Sequence, residues 1–220
     1  MNKTAIVIGA TGLTGTHLVA ALLQDPAFDK VKVLIRRPWA HSRPKLESVI
    51  VDFEDDDNLA AALQGDALFC CIGTTIKKAG SQERFRAVDY GIPVKCARIA
   101  HEQGVSQILV MSSVGANAHS RNFYLRTKGE MEDAIQQAGF HSIAIFRPSM
   151  LIGSRKEFRL GEWLGKYLIQ LFYFLLQGRW KKYRPIKAAT VANAMIAAAK
   201  ETEAGISVYE SDAIQQMGAS

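Results

Sequence analysis

The stretch "NFYLRTKGEMEDA" holds a phenol, Tyr124, and an ammonium, Lys128, four residues apart. On a helix that spacing puts both on one face, about one turn from each other. A tyrosine, with an unperturbed pKa near ~10, is a poor base at neutral pH. A neighbouring cation stabilises its phenolate and makes its proton exchangeable. Ser113 closes the apolar run "ILVMSS", and its hydroxyl could hold a carbonyl oxygen beside the tyrosine. Ser112 is the alternative, because strand alternation turns only one of the two toward a crevice. Together these groups describe proton donation to an oxygen, with Lys128 tuning Tyr124 and gripping the ribose of a cofactor.

Such groups need a scaffold, and the chain has an alternating one. The segments Thr4–Ala10, Lys30–Arg36, Leu46–Phe53, Asp66–Gly73, Val105–Ser113 and Ser142–Pro148 read as strands, with Ile206–Ser211 as a further one. They are apolar on both faces, as expected of a parallel sheet covered by helices on both sides. Helices are expected at Gly12–Gln24, Asn58–Gln64, Gln82–Gln103 and Tyr124–Ala138, the third kinked or split by Pro93. Strands and helices in alternation predict an α/β fold: a doubly wound, mostly parallel sheet of Rossmann type in a single domain over 1–220. A C-terminal substrate or lid region is expected at about 149–190.

The first strand runs into Gly9-x-x-Gly12-x-x-Gly15 and then an amphipathic segment, "IVIGATGLTGTHLV". The first glycine permits a tight turn and the second lets backbone N–H groups approach a pyrophosphate. The third lets helix and strand pack closely, and the helix N-terminus offers its dipole to phosphate. Where an NAD-preferring fold ends its second strand in a carboxylate, this chain has Arg36 and Arg37. Guanidinium forks attract a 2′-phosphate, so NADP(H) is the expected cofactor. Asp52 and Phe53 end the third strand, where related folds contact adenine. Ile72, Gly73 and Thr74 end the fourth, where the chain passes the cofactor's ribose.

Bulk properties narrow the class. The 220 residues are 48% hydrophobic and 22% charged, which suits a globular domain and excludes disorder. Lys+Arg 27 against Asp+Glu 21 leaves a net charge of +6, favourable for an anionic partner. Cys70, Cys71 and Cys96 make neither a disulfide framework nor a zinc spacing, and reduced thiols in the cytoplasm are expected. With a strand expected from Thr4, no signal peptide is expected. The five histidines are scattered, and "DFEDDD" reads as a helix start, so no metal site is expected.

The segment "WLGKYLIQLFYFLLQGRWKKYRP" is apolar and then basic. Its apolar part is about half the roughly 20 residues that span a bilayer. A buried helix or a substrate-pocket wall is favoured for 163–184 over an interfacial membrane contact. No nucleic-acid module is recognisable.

The motifs "GATGLTG", "IRRP", "VDFED", "FCCIGTT", "MSSVGA", "FYLRTKGEME" and "FRPSMLIGSRKEFRLGEW" cover the chain from Ala5 to about Val191. In them the sequence resembles the atypical short-chain dehydrogenases/reductases, more narrowly the HIV Tat-interactive-protein-like oxidoreductases. The resemblance implies an NADPH-binding Rossmann fold with Tyr124 and Lys128 as the catalytic pair. It also implies cofactor contacts at Gly9, Thr11, Gly12, Leu13, Thr14, Arg36, Arg37, Ile72 and Gly73, with Leu151 and Arg159 near the nicotinamide and substrate. Many relatives of this class have a proton-relaying asparagine in the fourth helix; "RAVDYG" presents Asp89 there.

Two functions follow as expectations. One is NADPH-dependent reduction of a small-molecule carbonyl substrate. The other is a cofactor-sensing regulatory protein with little or no turnover. A homodimer through the fourth and fifth crossover helices is compatible with either.

Overall fold

The computed structural model describes residues 3–39, 43–153 and 183–219. In it β1 (Lys3–Ile8) lies between β2 (Phe28–Ile35) and β4 (Ala67–Cys70). Outside these lie β3 (Leu46–Ile50), β5 (Gln107–Met111), β6 (Ser142–Arg147) and β9 (Gly205–Glu210). One sheet results, in the order β3-β2-β1-β4-β5-β6-β9, with every pairing parallel. All seven expected strands are present.

Alternation along the strands divides the core in two. Ala5 and Val7 of β1, with Phe69 and Phe146, face α1 (Leu13–Leu22), α7 (Ala188–Glu201) and α8 (Ser211–Met217). Ile6 and Ile8, with Leu68 and Ile145, face α2 (Asp56–Ala62), α5 (Ile92–Glu102) and α6 (Phe123–Gln136). Adjacent Cys70 and Cys71 accordingly join opposite layers. Lys32 interrupts the apolar run of β2 without cost to its pairing. Its Nζ donates to Ala62 O at 3.2 Å and Gln64 O at 3.0 Å, closing the end of α2.

Several boundaries differ from expectation, each for a local reason. β3 stops at Ile50 because Asp52 turns the chain, its Oδ1 accepting from Glu54 N at 2.9 Å. Helix α2 starts two residues early because Asp55 caps it, accepting from Asn58 N at 3.0 Å. The long third helix, expected over Gln82–Gln103, is split into α4 (Gln82–Arg86), a π-helical turn, Ala87–Gly91, and α5; the short α3 (Ile76–Ala79) precedes it and was not expected. Pro93 has no N–H to give to the carbonyl four residues earlier, and the chain widens into the π turn just before it. β7 (Leu151–Ile152) and β8 (Ile186–Lys187) form a separate two-stranded pair. The expected 163–184 segment, apart from Tyr183 and Arg184, lies outside the described residues, as does Arg159.

After β1 the chain winds outward through β2 and β3, then returns to place β4 on the other side of β1. At such a reversal the crevice beyond the strands' C-terminal ends is where doubly wound folds bind ligands.

Candidate active site

The glycine turn occupies that crevice. Gly9 has φ +80°, and a Cβ there would lie 2.5 Å from the Cys71 carbonyl carbon, so only glycine fits. Gly12 N donates to Gly9 O at 3.0 Å, closing the turn, and a Cβ on Gly15 would overlap the same Gly9 carbonyl. Helix α1 begins with Gly12 as its N-cap and no side-chain acceptor for its first amides. The Thr14 hydroxyl is buried there without a hydrogen-bond partner. A bare, glycine-walled helix N-terminus with an orphaned hydroxyl fits a pyrophosphate.

Across the switch point, α6 carries the phenol and the ammonium. Asn122 starts it, its Oδ1 accepting from Leu125 N at 3.2 Å. The preceding loop braces its first turns: Asn117 N donates to Leu125 O at 3.1 Å, and Gly129 lets Asn117 and Ala118 pack on the helix. Tyr124 is half-buried, whereas Lys128 is sealed from solvent. Lys128 Nζ lies 2.9 Å from Asp89 Oδ1, and Asp89 Oδ2 accepts from Thr74 N at 2.8 Å. Burial works against the Lys128 ammonium, but the Asp89 carboxylate and the Tyr124 phenol outweigh it and hold Lys128 above its ordinary value.

One cavity of about 1020 Å³ joins the two halves. Thr11, Gly12 and Leu13 line it from the glycine turn, and Ile72, Gly73 and Thr74 from the end of β4. Ser113, Tyr124, Lys128 and Leu151 line it from the far side. The expectation that only one serine reaches the crevice is corrected: Ser112 and Ser113 both line the cavity. β5 ends at Met111, so strand alternation no longer governs them. The Ser112 hydroxyl is buried and has no hydrogen-bond partner, and Ser113 is half-buried.

Other expected residues stand apart from the cavity lining. Gly9, Thr14 and Gly15 form the framework under the turn. Arg36 and Arg37 are exposed just beyond β2. Asp52 serves the turn after β3, and Phe53 is buried in the core. Asp89 is a functional candidate to which residue patterns assign no role; its signal is the acid in "RAVDYG". Among the described residues no group of His, Cys, Asp or Glu could hold a metal ion. Nor is any described helix long and apolar enough to cross a membrane.

A parallel sheet with a glycine turn at its switch point, opening on a cavity of this size, defines a dinucleotide-binding protein of Rossmann type. Residues 9–165 match the NAD(P)H-binding family. Protein HTATIP2 of Rattus norvegicus is 36% identical over 199 residues, covering 89% of this chain and 80% of its own length. The Candida albicans protein named FMP52, mitochondrial, is 35% identical over 204 residues, covering 88% and 86%. The chain belongs to this NAD(P)H-binding, HTATIP2-like family, as its motifs led us to expect. Two solved structures share the fold. MoeE5 in complex with UDP-glucose and NAD has a TM-score of 0.70 at 17% identity, covering 98% of this chain and 81% of that one. The UDP-Glc/GlcNAc 4-epimerase of Campylobacter jejuni has a TM-score of 0.71 at 14% identity, covering 98% and 82%. The chain thus has an NAD(P)-binding, oxidoreductase-type fold.

Proposed function

We propose that the chain is an NADPH-dependent reductase of a small carbonyl compound. What supports this is a single cavity whose lining includes Gly12 and Leu13 of the glycine turn together with Ser113, Tyr124 and Lys128. When bound, NADPH supplies the hydride that adds to the carbonyl carbon. Tyr124 donates its proton to the carbonyl oxygen, giving an alcohol. Lys128, already charged, stabilises the phenolate left behind until solvent returns the proton. Ser113 holds the oxygen in line, and the buried, orphaned Ser112 hydroxyl is a second donor beside it.

Around this centre, the helix N-terminus at Leu13 and Thr14 takes the pyrophosphate, with Gly9 and Gly15 giving the turn its shape. Arg36 and Arg37 take the 2′-phosphate, which selects NADPH over NADH. Asp52 and Phe53 mark the adenine side, and Ile72, Gly73 and Thr74 the ribose. In a single domain over 1–220, Met150 and Leu151 open the substrate region expected at about 149–190, of which 154–182, Arg159 included, lie outside the described residues. Its supports are Met150, which is exposed, and Leu151, both lining the cavity. The three buried free thiols support a reducing, cytoplasmic setting, although fungal relatives carry mitochondrial names.

Calorimetric titration with NADPH and NADH tests the cofactor half of this reading. A preference for NADPH that weakens about tenfold or more in Arg36→Ala/Arg37→Ala, equivalent to about 1.4 kcal/mol, is expected. A tenfold preference for NADH contradicts it.

A further inference from the structure

Asp89 is fully buried, where a carboxylate is costly unless charge and hydrogen bonds compensate it. It has both. Lys128 Nζ stands 2.9 Å from Oδ1, their side chains 4% and 0% exposed, and Thr74 N donates to Oδ2 at 2.8 Å. The π turn Ala87–Gly91 carries Asp89 to this point, and π turns within helices concentrate at functional sites. Three elements therefore meet on one carboxylate: the π turn, the helix of the Tyr124–Lys128 pair, and the loop that leaves β4 along the cavity.

We propose that Asp89 is a positioning residue of this site, its carboxylate pinning the Lys128 ammonium and the Thr74 backbone to one point beside Tyr124. The catalytic meaning of the inference rests on the function proposed above; the pinning itself does not.

The charges around Lys128 are few. Asp89 faces it from the π turn, Tyr124 from its own helix and the Cys70 thiol from β4. Of the other charges on these elements, Arg86 pairs with Glu130 and Glu132 with Arg147. Lys78 of α3 lies at the cavity as well. Burial opposes the ammonium, and Asp89 is the principal group overcoming it. Asp89→Asn keeps the shape and can still accept from Thr74 N, but it removes the charge. Burial then prevails, and Lys128 in the folded protein drops below its unfolded value near ~10.4.

The sign follows from linkage. In Asp89→Asn the unfolded chain binds a proton that the folded one does not, so this variant gains stability as pH rises. Urea unfolding of ligand-free wild type and Asp89→Asn between pH 7 and 10 reads it. The ratio of the variant's folding constant to the wild type's is expected to fall about tenfold per pH unit, or about 1.4 kcal/mol, as pH drops from ~10 toward the variant's Lys128 midpoint. A ratio that stays flat is what a space-filling role gives, and it overturns the proposal. Asp89→Glu, which restores the charge, should restore the wild-type profile. If Asp89→Asn does not fold at any pH, the variant Asp89→Asn/Lys128→Met, with both charges gone, is expected to fold. Its failure would likewise overturn the proposal.

NADPH titration over the same range separates this inference from the proposed function. Wild type should bind equally from pH 7 to 9, whereas Asp89→Asn should weaken as pH rises and Lys128 loses its charge. Absence of NADPH binding in wild type defeats the proposed function and leaves the ligand-free comparison standing. A flat ligand-free ratio with intact NADPH binding defeats this inference alone.

Discussion

The Tyr124 ring packs against Phe85 with centroids 5.6 Å apart and planes tilted by 47°. Phe85 also meets Phe123 nearly edge-on at 5.8 Å and is wholly buried, so α4 clamps the first turn of α6. Phe85→Ala is expected to cost about 3–5 kcal/mol and to free the phenol from its place. Urea denaturation and steady-state kinetics read the two effects. A fully folded variant with unchanged kcat would show that the clamp has no part in aligning Tyr124.

Gly129 is where the loop after β5 presses on α6. A Cβ there would overlap Ala118 N and the Asn117 carbonyl carbon, which are backbone atoms that cannot rotate aside. Gly91, by contrast, offers a Cβ nothing closer than Arg86 O at 3.9 Å. Gly129→Ala should therefore lose about 1–3 kcal/mol, while Gly91→Ala stays within about 1 kcal/mol of wild type. Thermal melts of the two variants side by side distinguish this account from one in which the glycines are interchangeable.

Glu132, at 2% side-chain exposure, accepts Arg147 Nε at 3.0 Å and 3.2 Å on its two oxygens. Its hydrogen bond leads the contributions that hold the Arg147 guanidinium above its ordinary value. Glu132→Ala removes the main partner of that cation, whose side chain is 26% exposed, and is expected to cost about 1–3 kcal/mol. Glu132→Ala/Arg147→Met should recover much of the loss, as chemical denaturation will tell. A double variant no better than the single one would mean that packing, not charge, was lost.

Burial pushes the Cys70 thiol up to about 11, and burial also raises Cys71 and Cys96. A folded value above the unfolded one contributes stability that is present below the unfolded value and lost as pH rises through the folded one. For Cys70 the window runs from its ordinary 9.0 to about 11, with a loss of about 1.4 kcal/mol per pH unit. Native protein at pH 8 should leave all three thiols unreactive toward a disulfide reagent until urea unfolds it. Rapid labelling without denaturant would contradict their placement.

Much of this architecture is legible in the residues, and the exceptions have physical causes. The five inner strands stand out as mostly apolar, mostly buried runs and the edge strands β3 and β9 as shorter ones, and Gly9, Gly12 and Gly15 mark the switch point, where a Cβ would crowd the turn. Helix α7 escapes notice: in "AATVANAMIAAAK" alanine predominates, and it is buried on nearly every side, which blurs any amphipathic stripe. Asp89 is hidden for a different reason. Its burial depends on a π turn and on partners 15 and 39 residues away, Thr74 and Lys128, which no local pattern announces. Ser112 is misjudged because alternation was extended one step past the end of β5.

Replacement of the phenol alone tests the centre of the account. Wild type and Tyr124→Phe should bind NADPH alike by calorimetry. Across a panel of aldehydes and ketones, only wild type should oxidise NADPH, the variant falling by about 10²-fold or more. Full turnover in Tyr124→Phe would contradict the proton-donor role. NADPH binding without turnover by wild type on any member of the panel would contradict the reductase reading and point instead to cofactor sensing.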